Sequence, residues 1–295
     1  LIRERSFVSV TGREYIGPYR LLRVILAGRT CIVWEAMHDD EKEKVVIKML
    51  ANEHKKDKEQ IALLKHEYTV GKYFSYQYLL HFRMFVTDRY VTYVAMDFFN
   101  CPNLKQKLRE GADKIAHRAE GIIDRAADGL HYFHEQGWVH RDVKPDNVLI
   151  NEQDELKWID FAIAQKPKTG LAKLFSRKGK VQGTRSYMSP EQIRGESCDR
   201  RADVYSFGCM VYELLSGKVP FTAGNADDLL VKHLKSAVPS LATAEPNVTK
   251  EFSGLISQTM AKKPADRPES MQAFRDAMGG MRVFRKQPQP PESEQ

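Results

Sequence analysis

The segment His140-Arg141-Asp142-Val143-Lys144-Pro145-Asp146-Asn147 sets carboxylates, a lysine and an amide close together in one short stretch. A carboxylate such as Asp142 can accept or orient a hydroxyl proton, and Lys144, two residues on, can neutralise an anionic group. Asn147, and Asp160 in the downstream Ile159-Asp160-Phe161-Ala162, carry hard oxygen atoms suited to magnesium. Upstream, Val45-Val46-Ile47-Lys48 ends a β-branched run on a second lysine. Each piece alone is a solvated turn or strand end. Their order along the chain, with Ser189-Pro190-Glu191 following, is what makes the set informative.

These groups need elements to hold them. The chain has 295 residues, 42% hydrophobic and 29% charged, a globular balance that excludes wholesale disorder and collagen-like or coiled-coil composition. At roughly 100–200 residues per domain the length predicts about two domains or lobes. From Tyr19 to Val46 the β-branched and apolar residues, broken by the turn signal His38-Asp39-Asp40-Glu41, predict three antiparallel strands. Residues 56–74, with Ile61, Leu63, Leu64, Tyr68 and Val70 among charges, predict an amphipathic helix weakened at its end by Gly71. Phe85 to Phe98 predicts two more strands around Asp88-Arg89. Beyond them the pattern is helical: Ile122, Ala126, Leu130 and Phe133 before a stop at Gly137, then Val204 to Leu215, Phe252 to Met260 and Met271 to Met278. The tail Gln287-Pro288-Gln289-Pro290-Pro291 reads as linker. The fold class is therefore α+β, a small β-rich lobe with one main helix before a larger helical lobe.

No apolar run approaches the roughly 20 residues of a membrane helix. The start, Leu1-Ile2-Arg3-Glu4-Arg5, has no signal-peptide pattern, and without Met it reads as part of a longer chain. Cys31, Cys101, Cys198 and Cys209 form no C-x-x-C pair and read as free thiols. His131 and His134, with no zinc set around them, read as ordinary helix residues. The net charge of +7 suits nucleic acid, a membrane surface or acidic proteins alike. No zinc-finger spacing or aromatic-interleaved basic repeat favours nucleic acid.

His140 to Asn147 matches H-R-D-x-x-x-x-N, with Asp160-Phe161-Ala162 and Ser189-Pro190-Glu191 in the expected order. The chain thus resembles the protein kinase superfamily over about residues 18–281. Tyr187-Met188-Ser189-Pro190-Glu191-Gln192 and Arg201-Ala202-Asp203-Val204-Tyr205-Ser206-Phe207-Gly208 look most like bacterial eukaryotic-like (Hanks-type) Ser/Thr kinases. The resemblance implies a bilobal kinase-like fold: an extension 1–17, an N-lobe 18–97, a C-lobe 98–281 and a Pro-rich linker tail 282–295. It implies transfer of the γ-phosphoryl group of ATP to protein Ser or Thr hydroxyls, the chain's own included, with Mg2+ as the metal and Mn2+ as a substitute. Such transfer asks for positioning and charge neutralisation rather than covalent help.

The implied roles fall residue by residue. Asp142 orients the hydroxyl, Lys144 neutralises the transferring phosphate, and Asn147 and Asp160 hold metal. Lys48 holds the α- and β-phosphates, paired with an acid of the following helix, Glu67 by choice and Glu59 as fallback. Gly28 and Val33 belong to the phosphate-covering turn, Val46 and Leu149 to the walls around the base, Met96 to the gatekeeper position, and Asp97 and Phe99 to the backbone that bonds the base. Asp203 and Arg267 resemble the anchors of the catalytic loop and of Glu191. Thr184 shapes the substrate site. Ser176 and then Thr169 are candidate phosphosites in a stretch carrying Lys166, Lys168, Lys173, Arg177, Lys178, Lys180 and Arg185 against Glu191 alone, where added phosphate would meet cations such as Arg141.

The sequence departs from the family pattern at several places. Only one of the turn's three glycines remains, Val46 replaces Ala, Ala162 replaces Gly, and Gly71 replaces a large apolar residue expected to stack between helix and core. These departures motivate the alternative of a pseudokinase, a nucleotide-binding or interaction module. Lys48, Asp142, Asn147 and Asp160 argue for an active enzyme, and Gly183-Thr184 for a peptide rather than a small-molecule acceptor. Expected partners are protein Ser/Thr substrates, acidic ones by the basic loop, and a second kinase copy, with no nucleic acid and no membrane segment in this chain. The expected location is cytoplasmic, including the cytoplasmic domain of a membrane-anchored protein.

Overall fold

The structure, a computed structural model, describes residues 14–167 and 182–291. The chain divides into two compact units, residues 1–75 with 80–100, and residues 76–79 with 101–295.

The first unit is a six-stranded antiparallel sheet with one long helix. Its strands are β1 (Tyr15–Ile16), β2 (Tyr19–Ala27), β3 (Cys31–His38), β4 (Lys44–Leu50), β5 (Phe82–Thr87) and β6 (Thr92–Asp97), in the order β1-β2-β3-β4-β6-β5. β4 lies between β3 and β6 and is covered on both faces, which is why its sequence is a continuous apolar run rather than an alternation. Val45, Ile47 and Met49 turn one way, into a cluster with Ile16, Tyr19, Ala36, Tyr93 and Ala95. By the two-residue period of a strand, Val46 and Lys48 share the other face. The β2–β3 turn closes with Gly28 N–H donating to Cys31 O at 2.9 Å, and a Cβ at Gly28 would stand 2.9 Å from that same oxygen.

Helix α1 (Lys58–Gly71) starts where Asp57 accepts from the amides of Glu59 and Gln60, and packs on β5 and β6. Its buried residues are Leu64, Glu67, Val70 and Gly71. Two details differ from the sequence expectation. β5 begins at Phe82 rather than Phe85. Gly71 does not leave the end of the helix empty: the Phe82 ring fills that space, so close that a Cβ on Gly71 would lie 2.3 Å from Phe82 Cδ2.

The second unit is mainly helical: α2 (Leu104–Glu110), α3 (Ala112–Ile115), α4 (Ala119–Glu135), α5 (Pro190–Ile193), α6 (Arg200–Ser216), α7 (Ala226–Lys235), α8 (Leu241–Ala244), α9 (Lys250–Thr259) and α10 (Met271–Gly279). α6 is buried on all sides from Ala202 to Leu215, as a helix without a polar face must be, and it forms the axis on which α4 and α9 pack. Asp199 caps its start. α4 presents Ile122, Ile123, Ala126, Leu130 and Phe133 inward, the spacing read from sequence. A short hairpin, β7 (Val148–Ile150) and β8 (Leu156–Trp158), lies on α4, where buried Trp158 donates its indole N–H to Ala126 O at 2.9 Å. All four cysteines are free thiols. Among the described residues, no helix is long and apolar enough to cross a membrane.

Candidate active site

In the first unit, β4 delivers Lys48 to the helix side of the sheet, where its Nζ donates to Glu67 Oε1 and Oε2 at 3.0 and 2.8 Å. The Glu67 side chain is 3% exposed and that of Lys48 20%, so the carboxylate sits inside and the ammonium at the edge. Glu59 lies in the first turn of α1, away from this pair in sequence by two helical turns. Strand register sets the remaining expected residues of this unit. Val33 lies opposite Lys48 on β3, and Val46 lies opposite Met96 on β6. Asp97 ends β6, with its N–H on His81 O at 3.1 Å and its carboxylate taking Arg83 Nε at 2.6 Å. Phe99 is half-buried in the segment leaving that strand.

In the second unit the segment 140–147 is tied down from below. Asp203 on α6 accepts the backbone N–H of His140 at 2.7 Å and of Arg141 at 2.8 Å, and also His134 Nε2 at 2.8 Å. Burial opposes ionisation of Asp203. The His134 hydrogen bond, the neighbouring histidines and the Arg141 N–H outweigh that, so its pKa ends below the ordinary carboxylate value. His140 is fully buried among Phe133, Trp158 and Phe161, and burial, opposed by nearby carboxylates, lowers its pKa. Its Nδ1 accepts the Asp142 N–H at 3.3 Å.

Two non-glycine residues of the site have left-handed backbone, Arg141 at φ 67° and Asp160 at φ 66°. Such conformations are costly and persist only where surroundings hold them. Arg141 is held on both sides: its N–H by Asp203, and its C=O by Gln192 Nε2 at 2.8 Å. Gly183, at φ 122°, passes so near that a Cβ would stand 3.0 Å from Arg141 O. That close approach brings in Thr184, whose N–H and hydroxyl both donate to Asp142 Oδ1, at 3.0 and 2.9 Å.

The other oxygen, Asp142 Oδ2, takes Lys144 Nζ at 2.6 Å and Asn147 Nδ2 at 3.1 Å, and Lys144 also donates to Thr184 Oγ1 at 2.8 Å. Asn147 Nδ2 donates as well to Asp142 O at 2.8 Å, which fixes the amide and leaves Oδ1 as its acceptor end. Asn147 O in turn accepts Ile159 N–H at 3.0 Å, so the segment carrying Asp160 is registered on the same loop. Phe161 is buried, stacked on Phe133 with ring centroids 5.2 Å apart. Ala162 does not take a positive φ, so in this conformation its methyl meets no backbone penalty. Leu149 lies half-buried on β7. Thr169 and Ser176 lie outside the described residues.

Several contributors are not legible in the sequence. Thr184, expected to shape a substrate site, grips Asp142 directly. His134 is no ordinary helix residue but a buried partner of Asp203. Gln192 holds Arg141 O while closing a capping box with Ser189, and that S-x-x-Q spacing is a signal that a search for capping boxes finds. Buried Tyr187 and Glu213 and the half-buried Lys105 form a further cluster, in which Tyr187 donates its hydroxyl to Glu213 and Lys105 pairs with the same carboxylate. Burial, then the Glu213 charge, drives the Tyr187 pKa well above its ordinary value.

A loop with a pinned carboxylate, a lysine and an amide, in a helical unit that follows a sheet with a paired lysine, is the constitution of a protein kinase domain. Residues 19–278 match the protein kinase domain family, and the chain belongs to it. It is 32% identical over 279 residues to serine/threonine-protein kinase PknA of Mycobacterium tuberculosis strain H37Rv, covering 93% of this chain and 63% of that protein. It is 31% identical over 251 residues to serine/threonine-protein kinase PknH of Mycobacterium bovis, covering 85% and 42%. A probable serine/threonine-protein kinase of Clostridium acetobutylicum is 27% identical over 264 residues, covering 90% and 40%. The chain thus spans between about two fifths and 63% of the length of these relatives.

Membership of this family implies use of ATP and a divalent metal ion. The donor set fits such a metal. Asn147 Oδ1 and the Asp160 carboxylate are hard oxygens on two segments tied together by the Ile159–Asn147 backbone hydrogen bond, and a small divalent cation commonly takes one or two protein oxygens, completing its shell with phosphate and water.

Proposed function

We propose that this chain is an ATP-dependent protein-serine/threonine kinase, with Mg2+ as its metal and Mn2+ able to substitute. The observation that carries the reading is the held carboxylate of Asp142: Thr184 on one oxygen, Lys144 and Asn147 on the other. A carboxylate so fixed is placed to orient an acceptor hydroxyl and take its proton, which is the contribution protein makes to phosphoryl transfer. Lys144, beside Asp142, is a cation at hand for the transferring group. Asn147 and Asp160 would hold the metal, which neutralises phosphate charge when bound. Lys48, oriented by Glu67, would hold the α- and β-phosphates. Gly28, Val33, Val46, Met96, Asp97, Phe99 and Leu149 would surround the nucleotide.

The acceptors are Ser and Thr hydroxyls of proteins, those in acidic segments favoured by the basic residues 166–185, and a second copy of the chain is a natural acceptor and dimer partner. Phosphate on Ser176 or Thr169 would dock on Arg141. Its buried Nε has no hydrogen-bond partner among the described residues, and its Nη1 makes a 3.3 Å bond to Ile163 O. The test is transfer of labelled γ-phosphate to a generic acceptor protein, followed by phosphoamino-acid analysis. Label on Ser and Thr is expected. Nucleotide binding without label on any acceptor would instead make the chain a nucleotide-binding module.

A further inference from the structure

We infer that Phe82 is a positioning residue for Glu67, and that Gly71 is glycine so that the Phe82 ring can press directly on the backbone of α1. The roles of Lys48 and Glu67 in holding phosphate rest on the function proposed above; the packing does not.

The contact is unusually close for a reason visible in the sequence. Gly71 is the last residue of α1 and is buried, one helical turn beyond Glu67, so the two share a face. A Cβ built on Gly71 would fall 2.3, 2.7 and 2.9 Å from Phe82 Cδ2, Cε2 and Cγ. No ring tolerates that approach, and the ring cannot easily withdraw. Phe82 is 1% exposed, opposite Met96 on the sheet, and followed by a register irregularity between Phe82 and Met84. Its neighbour His81 is fixed as well: its Nδ1 donates to Phe74 O at 3.0 Å, and its C=O accepts Asp97 N–H at 3.1 Å. Phe74 N–H in turn reaches Gly71 O at 3.1 Å. The end of α1, the following turn and the start of β5 therefore form a closed loop of contacts around the ring.

This arrangement transfers bulk from helix to strand. A large side chain on the helix would reach toward β5 to fix the position of α1. Here a large side chain on β5 reaches toward a bare helix. The consequence for Glu67 is the same: the turn carrying its carboxylate is held at a set distance from β4, where Lys48 is. Phe82 acts on the phosphate-holding pair only through the helix.

The test uses the full chain and three variants: Gly71→Ala, Phe82→Ala and the transposition Gly71→Leu/Phe82→Ala. The first readout is amide hydrogen exchange of α1 in the nucleotide-free protein, which needs no activity. Helix propensity alone would make Gly71→Ala exchange slower, by about fivefold. The ring contact predicts the opposite sign: exchange faster by about tenfold or more in each single variant, with the transposed pair returning to within about threefold of wild type. The second readout is the KM for ATP, which should rise in the single variants and recover in the transposed pair, while Gly71→Ala adds nothing in a Glu67→Gln background. If Gly71→Ala fails to fold, Phe82→Ala and the transposed pair decide the matter. Slower exchange in Gly71→Ala, failure of the transposition to restore protection, or an unchanged Gly71→Ala effect in the Glu67→Gln background would each overturn the inference. A wild type that transfers no phosphoryl group would overturn the proposed function instead, and the exchange result would still stand.

Discussion

Thr184 sets both its backbone N–H and its hydroxyl on a single oxygen of Asp142, at 3.0 and 2.9 Å. With Lys144 and Asn147 on the second oxygen, the carboxylate is held from both sides before any substrate arrives, and an acceptor hydroxyl would take the place of one of these donors. Its orientation is therefore set by the chain rather than by the substrate, which is where catalysis by positioning begins. Removing the hydroxyl should release one side of Asp142. Thr184→Val is expected to lower kcat by about tenfold to a hundredfold while leaving nucleotide affinity near wild type, and Thr184→Ser to keep most activity. Steady-state kinetics with ATP varied separates the two effects.

The Lys48–Glu67 pair predicts non-additivity. Glu67 is the more buried partner, so Lys48→Met removes the lysine from a carboxylate held inside the first unit. Lys48→Met should destabilise the chain more than Lys48→Met/Glu67→Gln, although by the proposed function both should abolish tight ATP binding. Thermal unfolding without nucleotide provides the comparison. Equal melting temperatures would mean that the pair is not a coupled unit.

Arg267 and Glu191 form a buried bidentate pair, at 2.7 and 2.9 Å, with the Arg267 side chain fully covered. Arg267 also donates to three carbonyls, those of Ala261, Arg201 and Lys262. Truncation to Met should cost about 3–5 kcal/mol, in the range for breaking a buried pair. Chemical denaturation of Arg267→Met and of Arg267→Met/Glu191→Gln measures it. The double variant should be less destabilised than the single.

Acid sensitivity follows from the buried histidines. Burial, then the charge of nearby Lys262, lowers the His233 pKa to about 4, and its Nδ1 lies 2.9 Å from the Tyr205 hydroxyl. The unfolded chain, with an ordinary value near 6.5, binds the proton first as pH falls. The neutral ring's contribution is therefore complete above pH 6.5 and is lost progressively down to about 4, by at most about 3 kcal/mol. His140 acts in the same direction. The melting temperature should fall between pH 6.5 and 4, and His233→Gln should flatten that fall even if it is less stable at pH 7.5. An equal slope in the variant would mean that His233 plays no part in the acid sensitivity.

The chemistry-bearing residues were legible because their types and order are unusual. A β-branched run closing on Lys48 and the run from His140 to Asn147 seldom fall in one chain by chance. The long elements were legible because α4, α9 and the strands from β2 to β6 bury one face or a continuous run and leave periodic marks. What stayed hidden depends on contacts far apart in sequence. Nothing local tells that Thr184 meets Asp142, 42 residues earlier, or that His134 meets Asp203. Gly71 misleads for the same reason. Its missing side chain is visible in the sequence, but the ring that occupies the space comes from the next strand. The two-residue β1 and the short β7–β8 hairpin are too brief to give a period of their own.

Whether Asp142 serves phosphoryl transfer from ATP is decided by intact-mass spectrometry after incubation with ATP and Mg2+, wild type beside Asp142→Asn, with nucleotide binding measured for both. Asparagine keeps the shape but cannot take a proton. Phosphate should be added to the wild type and to an acceptor protein, none should be added by Asp142→Asn, and both should bind nucleotide. Equal phosphorylation by the variant, or none by a wild type that binds ATP, would refute the role given to this carboxylate.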